Sequence, residues 1–176
     1  MGLRLSILIF AAGCAATPPP AAGARSADLG AIPLGAADGS SVALGPLLGR
    51  RPALLSFWAP WCEPCLKELP DLERLSRAVA PCGGAVVGVA VGEAPAAVAA
   101  FTRARSLTYP QLADQEFHLA DALGQRRIPA TVVLDGDQRI LFVGEALEGK
   151  AVAALQSALP APCTARCALI DCRDTR

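Results

Sequence analysis

The pentapeptide Trp61-Cys62-Glu63-Pro64-Cys65, at the end of an apolar run from Ala53 to Ala59, constrains this chain more than any other stretch. The run is apolar on both faces, as a central strand of a covered sheet must be. After Cys65 the apolar residues Leu66, Leu69, Leu72, Leu75 and Val79 recur at spacings of 3, 3, 3 and 4, which is helical. Cys62 therefore falls just before or at the first turn of a helix. Unpaired N–H groups and the positive end of the helix dipole stabilise a thiolate there. Pro64 suits that turn because its missing N–H is not needed. A thiolate at Cys62 can attack a disulfide, and Cys65 can resolve the mixed disulfide that results. Glu63, between the two, is expected to be exposed, and its negative charge opposes the helix dipole, so the Cys62 thiolate need not be unusually stable.

Around this centre the chain alternates strand and helix. Ser41 to Leu44 reads as a short edge strand leading to a helical turn near Leu47-Leu48. The helix after Cys65 contains Pro70, which predicts a kink near residues 66–70. Ala85 to Val91 is a second buried strand, so strand, helix and strand make a parallel pair with a right-handed crossover. Pro95 opens a helix to Arg105, and Phe117 to Leu123 is a short helix stopped by Gly124. Ile128 to Leu134, the turn Asp135-Gly136-Asp137 and Ile140 to Val143 form a hairpin. Leu147, Ala151, Val152, Leu155 and Leu159 mark a last amphipathic helix. The fold class is α/β, a central mixed sheet with helices on both faces.

The N-terminus reads as a targeting segment. Arg4 precedes the apolar stretch Leu5 to Ala12, too short to span a bilayer. Ala11-Ala12-Gly13-Cys14 resembles a bacterial lipobox, although Ala11 stands where that pattern prefers Leu. Residues 1–13 are then a lipoprotein signal peptide, and acyl chains on Cys14 hold the protein to a membrane, each buried CH₂ adding about 0.8 kcal/mol. Ordinary cleavage near Ala22-Gly23-Ala24 is the alternative. Residues 14–29, rich in Pro, Ala and Gly, form a tether. The domain covers 30–159, and 160–176 is a cysteine-rich tail.

Taken together, Phe57 to Cys65, Leu66-Lys67-Glu68-Leu69-Pro70 and Ile128-Pro129-Ala130-Thr131 resemble the thioredoxin superfamily, in particular extracytoplasmic thiol-disulfide oxidoreductases of the TlpA/ResA type. The resemblance implies a thioredoxin-like fold in which Pro129 is cis and faces the cysteine pair, leaving the backbone of Ile128 to pair with a substrate peptide. It implies that Glu68, rather than an acid at Ser56, takes the proton of Cys65 as that residue attacks the mixed disulfide. Trp58 is expected in the core, and Trp61 beside the nucleophile, shielding it and touching substrates. His118 reads as an ordinary surface or half-buried histidine.

Setting aside Cys14, Cys62 and Cys65 leaves Cys82, Cys163, Cys167 and Cys172 of the seven cysteines. An even remainder suits two structural disulfides, with three possible connectivities. A bridge from Cys82 to the tail would close a loop of about 80 residues, worth about 4–5 kcal/mol in the chain-entropy model. A metal site built from the three tail thiols lacks an evident fourth ligand. Acidic and basic residues balance at 16 each, which gives no basic surface for nucleic acid.

The leading functional expectation is a monomeric disulfide reductase, lipid-anchored on the periplasmic side of a bacterial membrane and needing no cofactor or metal. It would act on protein thiols and disulfides, including a role like cytochrome c maturation, and would draw electrons from a transmembrane thiol donor. Two alternatives remain: a copper- or zinc-handling lipoprotein that uses the paired thiols as soft ligands, and a thiol peroxidase. The two-residue cysteine spacing and Ile128, where copper chaperones on this fold carry a histidine, weigh against the first. Peroxidase relatives place the reactive cysteine differently, which weighs against the second.

Overall fold

A computed structural model describes residues 29–160. In chain order its elements are β1 (Pro33–Gly35), β2 (Ser41–Ala43), α1 (Leu44–Leu48), β3 (Ala53–Trp58), α2 (Glu63–Val79) and β4 (Ala85–Val91). There follow α3 (Pro95–Arg105), β5 (Gln111–Asp114), α4 (His118–Ala122), β6 (Ala130–Leu134), β7 (Ile140–Gly144) and α5 (Gly149–Ala158). Short 3-10 turns stand at Leu29–Ala31 and Ala80–Cys82. The strands form one sheet in the order β2-β1-β5-β4-β3-β6-β7. Strands β3, β4 and β5 run parallel, whereas β6 is antiparallel to β3 and β7 to β6.

Both crossovers, through α2 and α3, step in the same direction across the sheet. Right-handed connections then put both helices on one face. That face buries Leu54, Leu69, Leu72, Leu75, Val86 and Leu155 between α2, α5 and the sheet. The other face packs α1 and α4 through Leu44, Leu48, Leu119 and Leu123 against Leu55, Phe57, Val87 and Val89. The mixed sheet with helices on both faces is the architecture expected from the sequence, and α2 continues through Pro70.

Three details differ from the sequence reading. Strand β5 was not anticipated, although its four residues Gln111 to Asp114 are all buried. Its two polar ends hide its strand character. Strand β1 was not anticipated either, being three residues long and built from Pro, Leu and Gly. The helical phase of α2 is also turned slightly: Cys65 is buried at its start, and Leu66 is only half-buried.

One row across the sheet is polar. Ser56 in β3 is the register partner of Gly88 in β4 and of Thr131 in β6, and Gly88 is the partner of Gln111 in β5. Residues flanking the row, such as Leu55, Phe57, Val87, Val89 and Val132, face α1 and α4, so the row itself faces α2. A Cβ on Gly88 would come within 1.9 Å of Gln111 Oε1. The missing side chain is what lets the Gln111 amide lie across β4. The Trp58 indole N–H donates to that same oxygen at 2.9 Å, and its ring packs on Phe101 at a centroid distance of 4.8 Å.

Gly88→Ala should therefore displace the Gln111 amide and leave the buried indole N–H of Trp58 without its acceptor. The expected cost is about 1–3 kcal/mol, read as a lower denaturant midpoint together with a shift in tryptophan emission. An unchanged midpoint would remove Gly88 and Gln111 from the account of how Trp58 is held.

Candidate functional site

The start of α2 is built around sulfur. Cys62 is the N-cap, with extended backbone, and its Sγ accepts the N–H of Cys65 at 3.3 Å. Its own N–H donates to Ala59 O at 3.0 Å, and its carbonyl accepts the N–H of Leu66 at 3.1 Å. Pro64 occupies the first turn, where no donor is lost. Cys62 and Cys65 form a disulfide with their Cα atoms 5.3 Å apart. Both are buried and share an apolar cluster with Trp58, Ala59, Ala90 and Val98, against which Ile128 packs. A negative charge on Cys62 would meet the free N–H groups and the dipole of a 17-residue helix in poorly hydrated surroundings. Glu63 is exposed and pairs with Lys67 at 3.1 Å, a solvated contact of little energetic weight.

A pocket of about 670 Å³ lies beside Trp61 and is lined also by Phe57, Val91, Phe117, Arg127 and Ile128. The Ile128–Pro129 peptide bond, next to this lining, is cis. Two of the most exposed large apolar side chains, Trp61 at 72% and Phe117 at 48%, belong to this one pocket. Its outer wall is α4, fixed from below by buried Asp114. That carboxylate accepts the N–H groups of Leu119 at 3.2 Å and Ala120 at 2.8 Å. Phe117 precedes α4 in the left-handed region, with φ of 60°. Its ring reaches over Gly92, where a Cβ would stand 2.8 Å from Phe117 Cζ.

Glu68 lies one turn beyond Cys65 on α2. Its Oε1 accepts the N–H of Leu147 at 3.0 Å, while its Oε2 is buried without a hydrogen-bond partner. Burial pushes the carboxyl above its ordinary value, the Leu147 N–H opposes this, and the charge of Asp71 adds to the rise. Such a carboxylate is a stronger base than one in water.

The structure thus brings Cys62, Cys65, Trp61, Ile128 and Pro129 to one end of the sheet, with Glu68 behind them. His118 is exposed on α4. Cys82 is buried at the other end of α2, in the same apolar cluster as Leu159, and is held in a disulfide. Cys14, Cys163, Cys167 and Cys172 lie outside the described residues. Among the described residues no group of three or more His, Cys, Asp or Glu is placed to hold a metal ion, and no helix is long and apolar enough to cross a membrane. The sequence reading missed Phe117 and Asp114 as site-forming residues. A polar residue in each of the buried strands β3, β5 and β6, namely Ser56, Gln111 and Thr131, was the signal available for the face beneath α2.

The profile of the AhpC/TSA family matches residues 27–143. Among curated proteins the chain is similar to thiol-disulfide oxidoreductase ResA of Bacillus subtilis (strain 168), 29% identical over 106 residues. That alignment takes in 60% of this chain and 59% of the relative, so the chain spans about six-tenths of the length of the relative it matches. Among solved structures it is similar to dsbF of MTB in its mixed oxidized and reduced forms. There the identity is 28% and the TM-score 0.61, with 73% of this chain and 96% of that chain covered. A DsbF homologue from Corynebacterium diphtheriae gives 27% identity and a TM-score of 0.61, covering 72% and 83%.

The environment of Glu68 makes a prediction about stability. Its pKa is raised by folding, so its ionisation costs the folded state most above the folded pKa, and nothing below the unfolded value where both states are protonated. Glu68→Gln keeps the acceptor for Leu147 and removes the charge. Its melting temperature should exceed that of the parent by a few degrees at pH 7, and the two should converge below about pH 4. A gain that persists undiminished at low pH would sink the assignment of this cost to charge.

Proposed function

Because the chain belongs to the AhpC/TSA family, we propose that it carries out thiol-disulfide exchange on extracytoplasmic proteins, in the direction of reduction. The observation that carries this reading is the disulfide of Cys62 and Cys65 at the head of α2, with the N-cap sulfur facing free N–H groups. The likeness to ResA and to the DsbF structures supports the same chemistry. The apolar pocket between Trp61 and Phe117 supports a polypeptide substrate over a small thiol, since it offers a seat for a large side chain near the reactive cysteine.

In the reduced enzyme, the Cys62 thiolate attacks one sulfur of a substrate disulfide. The Cys62–substrate S–S bond forms and the other substrate sulfur leaves as a thiolate. Cys65 then gives its proton to Glu68 and attacks Cys62 Sγ. The Cys62–Cys65 bond forms, the second substrate sulfur leaves, and the substrate has gained two electrons. Ile128 offers its backbone to the bound peptide, and Trp61 covers the bond being exchanged. A transmembrane thiol donor would restore the reduced pair. Lipid on Cys14 would hold the domain at the periplasmic face of a membrane through the tether. Cys82 and the tail cysteines would serve as structural bridges away from exchange, and the domain would work as a monomer.

Three measurements test the proposal. Cys62→Ser should abolish reduction of a protein disulfide, and Cys65→Ser should instead accumulate a mixed disulfide with the substrate. The reduction potential of the pair should fall below about −230 mV, on the reducing side of the thioredoxin-like scale. A value near −120 mV would make the protein an oxidant and reverse the direction. Peroxide turnover as fast as disulfide exchange would move the reading to a thiol peroxidase.

A further inference from the structure

Among the described residues two side-chain atoms, Glu68 Oε2 and Thr131 Oγ1, are buried without a hydrogen-bond partner, and a second buried pair, Tyr109 OH and Gln111 Nε2, meet each other. Glu68 belongs to α2, and Thr131 stands on the side of the sheet that α2 covers. Thr131 and Gln111 stand in the polar row with Ser56 and Gly88, on the face covered by α2. Tyr109 lies two residues before Gln111 and is buried in the cluster between α2 and α5. Burial pushes its phenol up to about 12; the Gln111 amide opposes this, and the charges of Glu73 and Glu68 add to the rise. Glu68 accepts the N–H of Leu147, which follows the β7 residue Gly144, the register partner of Thr131.

Leaving each such atom unpaired would cost about 1–3 kcal/mol. Two of them would take a sizeable part of the stability of a domain, about 5–15 kcal/mol. Buried polar atoms that lack protein partners are met by ordered water, which needs two to four polar contacts. A carboxylate oxygen and a hydroxyl supply both an acceptor and a donor for it. An all-apolar strand set would have packed this face more cheaply. Yet Ser56, Thr131 and Gln111 are each at most 5% exposed and each polar.

We propose that the row Thr131, Ser56 and Gln111 is a hydrated seam beneath α2, and that Thr131 is a positioning residue. Its hydroxyl, through an enclosed water, holds the Glu68 carboxylate ready for the proton of Cys65. This inference rests on Glu68 being the proton acceptor in the exchange proposed above. The step itself is balanced: the Cys65 S–H bond breaks, its proton goes to Glu68 Oε2, and the sulfur lone pair is freed to attack Cys62. The seam water then hydrogen-bonds the carboxyl in either state and offers a way for the proton to leave. The titratable groups bearing on Glu68 are Asp71 on α2 and Tyr109 ahead of β5, whereas the segment after β7 presents it the Leu147 N–H.

The test is the rate of the resolving step against pH, followed in the full chain as release of thiol from a mixed disulfide preformed on Cys62. Thr131→Val is nearly isosteric and removes the hydroxyl. It should move the acidic limb of this profile up by about one pH unit, because the charged carboxylate loses a hydrogen-bonded partner. Resolution at pH 5 to 6 should slow by up to about tenfold, with the plateau at high pH unchanged. Thr131→Ser should restore the parental profile. Attack of Cys62 on an external disulfide, measured with Cys65→Ser, should not respond to Thr131→Val.

If Glu68→Gln leaves the resolving profile unaltered, the assignment of Glu68 as acceptor fails and the seam fails with it. If Glu68→Gln flattens the acidic limb but Thr131→Val leaves it in place, the seam alone is overturned. A crystal structure of the parental protein at high resolution gives a check independent of variant folding. Ordered water within hydrogen-bond distance of both Glu68 and Thr131 is required, and a dry contact there would refute the proposal.

Discussion

Burial of β3 on both faces sets the position of everything chemical in this fold. Its six residues Ala53 to Trp58 are all inaccessible, with β4 on one side and β6 on the other. The strand therefore cannot slide or turn without exposing apolar side chains on one face and uncovering Ser56 on the other. The chain leaves it at Ala59 and reaches the N-cap of α2 three residues later, so Cys62 has little freedom in where it stands. Helix α2 is held in turn along its own length by Leu69, Leu72, Leu75 and Val79. A nucleophile at the head of such a helix is placed by the core of the domain, not by the loop that carries it.

The same rigidity divides the site into fixed and adjustable parts. The cysteine pair, Trp58 and the polar row rest on central strands. The pocket wall, by contrast, is α4, one and a half turns long, fixed by two N–H bonds to Asp114 and by a phenylalanine in left-handed backbone. Short helices contribute little of their own stability. The pocket can therefore adapt to different side chains while the sulfur chemistry stays in place, as the exchange proposed above on varied polypeptides would require.

How much of this was legible in the sequence follows from what kind of signal each part leaves. Strand β3 and helix α2 are long and strongly patterned, so the cysteine pair and its helix N-terminus could be read directly. The hairpin of β6 and β7 was marked by Asp135-Gly136-Asp137. Strand β5 left no such mark, because Gln111 and Asp114 make a buried strand look like a loop. Both polar residues are there for partners elsewhere in the chain: Gln111 for Trp58, and Asp114 for the start of α4. Such partners are separated from them by many residues or by a turn, and periodicity carries no trace of them. Phe117 escaped for a related reason: a left-handed backbone at a non-glycine residue is set by tertiary packing against Gly92.

The polar row shows why a departure from apolar patterning in a central strand carries information. In β3, Ser56 interrupts Leu54, Leu55 and Phe57; in β6, Thr131 interrupts Ala130 and Val132; in β5, Gln111 begins a strand buried to its end. Any one of these could be an isolated accident of packing. Their alignment in register across adjacent strands could not arise from three independent accidents without cost, since each buries a hydroxyl or amide that has to find a partner. Glycine at the remaining position of the row, Gly88, keeps the Gln111 amide in line with the others. With the water proposed above, a buried carboxyl beside such a row would gain partners that leucine or valine would deny it. On that proposal the core gives up some apolar contact so that one proton can be held where sulfur needs to lose it.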